Sequence, residues 1–258
     1  MVDPSRGVLF PSRLTAFQRS APPQAAEDLV QWFWIPEWDL EPGVMSRQTV
    51  LSYPALNLVV EPHGVSLVGA TTRMSERILQ GSGWAVGALL RPAAVRTLTS
   101  DASSLVDTER PFSAPALHAQ VLAAMSGAHD RHQQAVEIFS RWLRARAGDL
   151  PSVARHANLM PEVLIGQDGA NTPAEAAARL AVSLRTLQRM TRRYIGLPPA
   201  AVIRRRRLQE AAQLVREHPD VSLATIAADL GYADHAHLAG DFRSVLGLTP
   251  SDYRTESS

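Results

Sequence analysis

Four polar side chains, Arg185, Gln188, Arg189 and Arg192, stand at i, i+3, i+4 and i+7, so a helix through them presents all four on one face. That set suits the edges of base pairs. An arginine guanidinium donates two parallel bonds to guanine O6 and N7, and a glutamine amide pairs with adenine N6 and N7. Further along, His235, Ala236 and His237 begin a second segment of the same layout, followed by Ala239 and Gly240. Either histidine can donate to a base or a phosphate, and the Ala236 methyl can touch a thymine methyl. Gly240 brings no side chain, so base readout is expected to rest mainly on the first helix, with backbone contacts or shape reading from the second. Residues 179–207 hold nine arginines and no acid, the charge footprint of a phosphate-facing surface. Backbone contacts are expected from Thr172, Ser183, Thr186, Arg192, Arg193, Arg204, Ser222, Asp234 and Arg243.

Other chemistry finds little support in the residues. The chain has no cysteine, which removes thiolate metal sites, disulfides and a thiol that could accept an alkyl group from damaged DNA. A DNA-repair type of enzyme is therefore the disfavoured alternative for the whole chain. His118, His129, His132 and His156 do not make a tetrahedral ligand set. There is no Gly-x-Ser-x-Gly elbow and no phosphate-cradling glycine loop. The expectation is a protein that is not an enzyme and holds no metal and no cofactor.

The elements that must carry these side chains are marked by a repeat at an offset of 51: Leu187 and Leu238, Arg192 and Arg243, Gly196 and Gly247, Leu197 and Leu248, Pro199 and Pro250. Each copy reads as a helix-turn-helix. Thr172, with Pro173 in the first turn, starts a helix to about Leu180. A tight turn at Ala181 and Val182 leads to Ser183, which caps a second helix ending near Tyr194, with Gly196 and Pro198 beyond it. In the second copy Ser222 and Asp234 are the caps, and Gly231-Tyr232 is the turn. Leu187, Met190 and Tyr194 make the buried stripe of the first reading helix, and Leu238 and Phe242 that of the second. A connector helix over 200–217 buries Leu208, Ala211, Ala212 and Val215, while Arg204 to Arg207 go around its first half. A rigid connector would place the two reading helices about one turn of the duplex apart, roughly 34 Å, so one chain could read two successive major-groove segments without dimerising.

Residues 183–190 (Ser-Leu-Arg-Thr-Leu-Gln-Arg-Met), 195–199 (Ile-Gly-Leu-Pro-Pro), the arginine-rich connector, 226–232 (Ile-Ala-Ala-Asp-Leu-Gly-Tyr), His237-Leu238, Phe242-Arg243 and 246–254 (Leu-Gly-Leu-Thr-Pro-Ser-Asp-Tyr-Arg) together resemble the DNA-binding domain of AraC-type (AraC/XylS-like) transcription regulators. The resemblance covers residues 172–254. It implies two helix-turn-helix units on a long helix in adjacent major grooves, with Arg185, Gln188 and Arg189 matching the first recognition helix and His235, Ala236, His237 and Gly240 the second. Three positions depart from the pattern. Ala181 replaces a usual glycine, which is tolerable if that residue avoids positive φ. Gly240 stands where a polar or basic residue is common, and Leu238 replaces a common phenylalanine.

The first half reads as β-rich. Trp32-Phe33-Trp34-Ile35 stops at Pro36, and the apolar runs 56–60 and 65–68 flank a four-residue connection, 61–64. Helical patterns follow at 114–125 and 131–147. Periodicity fades between 148 and 171. The fold class expected is an α+β N-terminal domain followed by an all-α domain of two helix-turn-helix subdomains joined by a long helix. The expected units are 1–165 (a regulatory, effector-sensing domain ending in helices), a linker at 166–171, and the DNA-binding domain at 172–254. Trp32-Phe33-Trp34, the 56–60 run and 86–92 (Val-Gly-Ala-Leu-Leu-Arg-Pro) are similar to an uncharacterised domain found fused to such modules, which implies a sensing role without naming a ligand. Trp32, Trp34, Trp84, His63 and Arg91 are the candidate effector-pocket residues. A ligand-independent protein-interaction module is the alternative for this half. Partners are expected to be double-stranded DNA, with RNA polymerase, a small-molecule effector and a second copy through 114–147 as further candidates. From residue 171 onward 12 arginines stand against 9 acids, while the first 170 residues hold 14 against 16, so the positive surplus lies where phosphate is expected. No stretch has signal-peptide or membrane-spanning character, so the expected location is cytoplasmic, with no membrane partner.

Overall fold

The computed structural model describes residues 16–166 and 168–257. Its strands are β1 (Ala16–Ser20), β2 (Val30–Asp39), β3 (Met45–Val50), β4 (Asn57–Glu61), β5 (Gly64–Val68), β6 (Ser75–Gln80), β7 (Ser82–Trp84), β8 (Val86–Leu90) and β9 (Glu109–Pro111). One antiparallel sheet runs β1-β2-β8-β4-β5-β9, with β7 also paired to β2. β3 and β6 form a separate two-stranded ribbon. The central strand β8 is buried at every position, as its unbroken apolar run requires of a strand covered on both faces. Trp34 crosses it at Gly87, where a Cβ would lie 2.0 Å from the indole, and its Nε1 donates to Asn57 Oδ1 at 3.0 Å. Helices α1 (Pro92–Leu98), α2 (Pro115–Met125), α3 (Arg131–Ala147), α4 (Ser152–Ala157) and α5 (Leu159–Ile165) complete this half. The stripe of α3 packs inward: Ala135 and Phe139 are fully buried, and Phe139 meets Phe33 of the sheet edge-on at 5.5 Å.

Two local expectations need correcting. β2 does not stop at Pro36. The missing N–H falls where the partner on that side changes from β8, last paired at Trp34–Gly87, to β7, first paired at Glu37–Trp84, so the proline interrupts pairing and not the strand. The connection after β4 has two residues instead of four, because Glu61 and Gly64 are themselves paired and leave only Pro62 and His63 in the turn.

The C-terminal part consists of α6 (Pro173–Arg179), α7 (Leu184–Tyr194), α8 (Pro199–Glu217), α9 (Leu223–Asp229), α10 (His235–Leu246) and α11 (Pro250–Ser257). α6-α7 and α9-α10 are the two helix-turn-helix units, and α8 spans 19 residues between them. The fold class is thus the α+β domain followed by two helical units on a long helix. Ala181 adopts φ +51, contrary to the requirement that it avoid the left-handed region. Its counterpart is Gly231 at φ +70, and the same Val182-to-Ala177 and Tyr232-to-Ala227 backbone bonds close both turns. The copies therefore align at an offset of 50 up to the turn. Ala233 is the extra residue that makes the offset 51 through the second helix.

The apolar cores do not divide where the chain's units were expected to. Leu187, Tyr194, Ile195 and Leu197 of the first unit, with Val202 and Ile203 of α8, are continuous with the core of the β-rich half. Gly196, at φ +92, comes so close to it that a Cβ would sit 2.6 Å from Ala102 O. The second unit has its own core, built from Leu208, Ala211, Ala212 and Val215 of α8 with Ile226, Leu238, Phe242, Leu246 and Tyr253. α8 passes from one core to the other across Arg204–Arg207.

Candidate nucleic-acid interface

All four helices of the two units start on the cap residues predicted from the sequence. Thr172 Oγ1, Ser183 Oγ and Ser222 Oγ each accept from the backbone N–H three residues on at 3.1 Å, and Asp234 Oδ1 does so at 2.8 Å. Each cap satisfies one of the N–H groups a helix start leaves open. These side chains are therefore already committed to the protein, and a phosphate at these helix starts would meet backbone N–H groups as much as hydroxyls.

α7 separates cleanly into a buried and a solvent face. Leu187, Thr191 and Tyr194 are buried, while Arg185, Gln188, Arg189, Arg192 and Arg193 are exposed. Among the described residues, the side chains of Arg185, Gln188 and Arg189 make no hydrogen bond or ion pair, so they are available to an external partner. Leu184, at the start of the helix, is 44% exposed. Its spacing from Leu187 places it on the apolar stripe, so spacing alone does not mark it as a surface residue. Arg192 leans toward the β-rich half: the Ser103 hydroxyl and N–H hold the Asp101 carboxyl below its ordinary value, and the Arg192 charge adds to this. Arg193 lies 5.6 Å from the Tyr194 ring, and Thr186 Oγ1 accepts from Ser183 Oγ at 3.0 Å.

α10 offers a different surface. His235, Ala236, His237, Gly240 and Arg243 are exposed, and Leu238, Phe242, Val245 and Leu246 are buried. The His237 ring stands edge-on to Tyr232 at 5.2 Å. Arg243 lies near Asp252, whose carboxyl is held low mainly by the Thr249 hydroxyl.

The arginine run of α8 is not a uniform phosphate-facing surface. Arg205 and Arg206 are only 4% and 3% exposed. Arg205 donates to Ser52 O at 3.1 Å, Thr71 Oγ1 at 2.7 Å and Arg73 O at 2.8 Å. Burial pushes its guanidinium down to about 10, which still leaves it charged at neutral pH. Arg206 pairs with Glu210 at 3.1 Å and donates to Ala170 O and Asn171 Oδ1. Arg207 stacks 3.8 Å from the Tyr232 ring centre, and burial raises that phenol above its ordinary value. Arg204, a candidate for backbone contact, pairs with Asp241 of α10 at 2.8 Å and bonds Ser244. Buried arginines need this many carbonyl and carboxylate partners to offset their desolvation. Periodicity carried the signal, since Arg205 lies three residues before Leu208 and so on the buried stripe.

Four of the five candidate effector-pocket residues lie outside the cleft between the two halves. Trp34 lies across β8, Trp84 pairs with Glu37 at the sheet margin, His63 is exposed in the β4-β5 turn, and Arg91 precedes α1, 3.6 Å from Glu162. Trp32 alone of the five lines this junction cleft of about 800 Å³. Tyr53, Ala55 and Leu89 share its β-rich wall. Residues 165, 166, 168, 169 and 171 edge it, and Arg179, Arg206, Glu210, Asp229 and Leu230 come from the helical units. Sequence spacing could not show this cleft, because its walls come from segments more than seventy residues apart. Among the described residues no helix is long and apolar enough to cross a membrane.

Residues 176–256 match the family described as a helix-turn-helix domain, and residues 18–110 match a domain of unknown function. The HTH-type transcriptional activator RhaS of Escherichia fergusonii is 32% identical over 155 residues, covering 48% of this chain and 55% of its own. An AraC-like transcription regulator of Streptomyces lividans is 37% identical over 83 residues, 32% of this chain and 27% of its own. The chain thus spans about half the length of the first relative and little more than a quarter of the second. Among solved structures, ToxT from Vibrio cholerae O395 aligns over 94% of this chain and 98% of its own at 12% identity, with a TM-score of 0.43. The capped units, the connector and the sequence matches agree: residues 176–256 are a helix-turn-helix domain, similar in sequence to that of AraC-like regulators.

Proposed function

We propose that the chain is a transcription regulator that binds double-stranded DNA at a specific sequence, reading it through α7 and α10 in successive major-groove segments. The observation that carries this reading is the exposed, unengaged set Arg185, Gln188 and Arg189 on a helix whose opposite face buries Leu187, Thr191 and Tyr194. Arg192, Arg193 and Arg243 border the two reading faces and serve the phosphates. Thr172, Ser183, Thr186, Ser222 and Asp234 act there through the helix starts they cap, and Arg204 serves chiefly by tying α8 to α10. Both reading helices lie on one chain, so a dimer is not required for a two-part site. The test is duplex affinity as a function of salt. We expect log K to fall linearly with log salt through counterion release, with a specific fragment retained above random duplex at every salt concentration. Binding that salt does not weaken, or that no duplex sequence improves, would contradict the reading.

The regulatory role proposed here belongs to residues 1–165, with 166–171 as the joint along the chain to the reading domain at 172–254, although the first unit packs into the core of the β-rich half. A small molecule would act from the junction cleft, where one ligand can touch both halves and both helical units. A compound that shifts thermal stability should lose that effect in Ala55→Trp, which fills the cleft. A shift that survives would place the effector elsewhere, including around Trp34, His63, Trp84 or Arg91.

A further inference from the structure

The core of the second helix-turn-helix unit contains a residue from the other end of the chain. Leu51 is fully buried in the cluster formed by Leu208, Ala211, Leu238, Phe242 and Leu246. Its carbonyl accepts from the buried Gln209 Nε2 at 2.7 Å, and the next carbonyl, Ser52 O, is one of the Arg205 acceptors. Met74 packs against the same cluster, and its N–H donates to Val245 O at 3.1 Å. Val245 lies in the last turn of α10, where carbonyls have no partner within the helix, so Met74 completes the C-terminal end of the second reading helix. Residues 51–52 and 71–74 leave the same end of the β3-β6 ribbon, next to the Val50–Ser75 pair. The second of these segments is fixed from behind: the Asp107 carboxylate accepts from the Thr72 N–H and hydroxyl, both at 2.6 Å. The β-rich half therefore contributes an apolar knob, a helix end-cap and a row of acceptors to a unit more than 130 residues away in sequence.

We propose that Leu51 and Met74 are positioning residues for the second reading helix: the N-terminal half supplies part of the folded core of the second unit and so sets where α10 lies relative to α7. The consequence for DNA rests on the reading of both helices given above, but the packing claim is testable without DNA. A leucine this buried leaves a cavity when truncated, and the loss should be local, because the first unit is packed into the other core. Amide hydrogen exchange on the full chain should show α9 and α10 of Leu51→Ala exchanging at least about tenfold faster than wild type, with α6 and α7 unchanged. In selection from random duplex, the same variant should lose the second block of its motif and keep the first, and Leu51→Met should restore it. Thr71→Val, which keeps volume but removes one Arg205 acceptor, should act in the same direction with smaller size, and it carries the test if Leu51→Ala fails to fold. Unchanged exchange in α9 and α10, or equal loss in both units, would overturn the proposal. Locally faster exchange in a protein that selects no duplex motif would support the packing claim and overturn the DNA reading.

Discussion

The two helix-turn-helix units share a backbone plan and differ in what they spend their side chains on. The first presents Arg185, Gln188 and Arg189 to solvent and packs its other face into the main core. The second presents two histidines, an alanine and a glycine, and its reading helix is tied by Arg204 to α8 and by Met74 to the β-rich half. Chemistry for base readout is concentrated where the unit sits on a large core. Ties that fix position are concentrated where base-reading chemistry is sparse. Under the proposed function, this comparison assigns sequence discrimination to the first unit, and register and phosphate contacts to the second.

The sharpest way to break the comparison is at the seam. Arg205→Ala empties the place of a buried guanidinium and leaves Ser52 O, Thr71 Oγ1 and Arg73 O without their donor, and we expect about 3 kcal/mol of lost stability by chemical denaturation. A loss below about 1 kcal/mol would mean that water replaces the guanidinium and that the seam does not hold the second unit. Next in size, Arg185→Ala and Arg189→Ala should each cost about 1–3 kcal/mol of discrimination at a base position in the first block. In the second block, His235→Ala should weaken binding evenly across sequences. Fluorescence anisotropy with matched and mismatched duplexes separates these outcomes. Removing the caps tests whether the units are built alike: Ser183→Ala and Asp234→Ala should each lower stability by about 1 kcal/mol. Ala181→Gly relieves a left-handed alanine and should stabilise the first unit by roughly 0.5 kcal/mol, whereas Gly231→Ala should destabilise the second; paired thermal melts read both.

The smallest expected difference is acid sensitivity. The Asn171 N–H, then the Arg179 charge, holds the Glu175 carboxyl below its ordinary value of 4.5. A carboxyl depressed in the folded state contributes stability that is present above its unfolded value and is lost as pH falls through the folded one. Thr225 stands at the matching place in α9, so amide protection in α6 should fall below about pH 4.5 while α9 lacks that component. Glu175→Gln should abolish the difference.

Much of this asymmetry was readable from residue spacing, because it is local. Caps, turns and the two faces of α7 depend on residues within one or two turns of each other, and the 11-residue helix α7 gives periodicity room to show. The helices α1, α4 and α5 escaped notice, since six or seven residues give scarcely two turns of pattern. The places where Pro36 and Ala181 defied expectation are fixed by a change of strand partner and by turn closure. Both depend on neighbours that propensity does not see. The destinations of Leu51, Arg205 and Arg206 are long-range, and nothing in an arginine run distinguishes a solvated guanidinium from one that bonds carbonyls across a domain seam. The tryptophans make the same point: of Trp32, Trp34 and Trp84, Trp32 alone lines the junction cleft, a distinction that composition does not carry.

The division of labour between the units is tested most directly by selecting bound fragments from random duplex DNA with the wild-type chain, the Arg185→Ala, Arg189→Ala double variant and the His235→Ala, His237→Ala double variant. The account predicts a motif of two blocks about one helical turn apart, with the first block erased by the arginine pair and both blocks kept, at lower affinity, by the histidine pair. A motif whose second block is the sharper and depends on the histidines, or one unchanged by loss of both arginines, would contradict it.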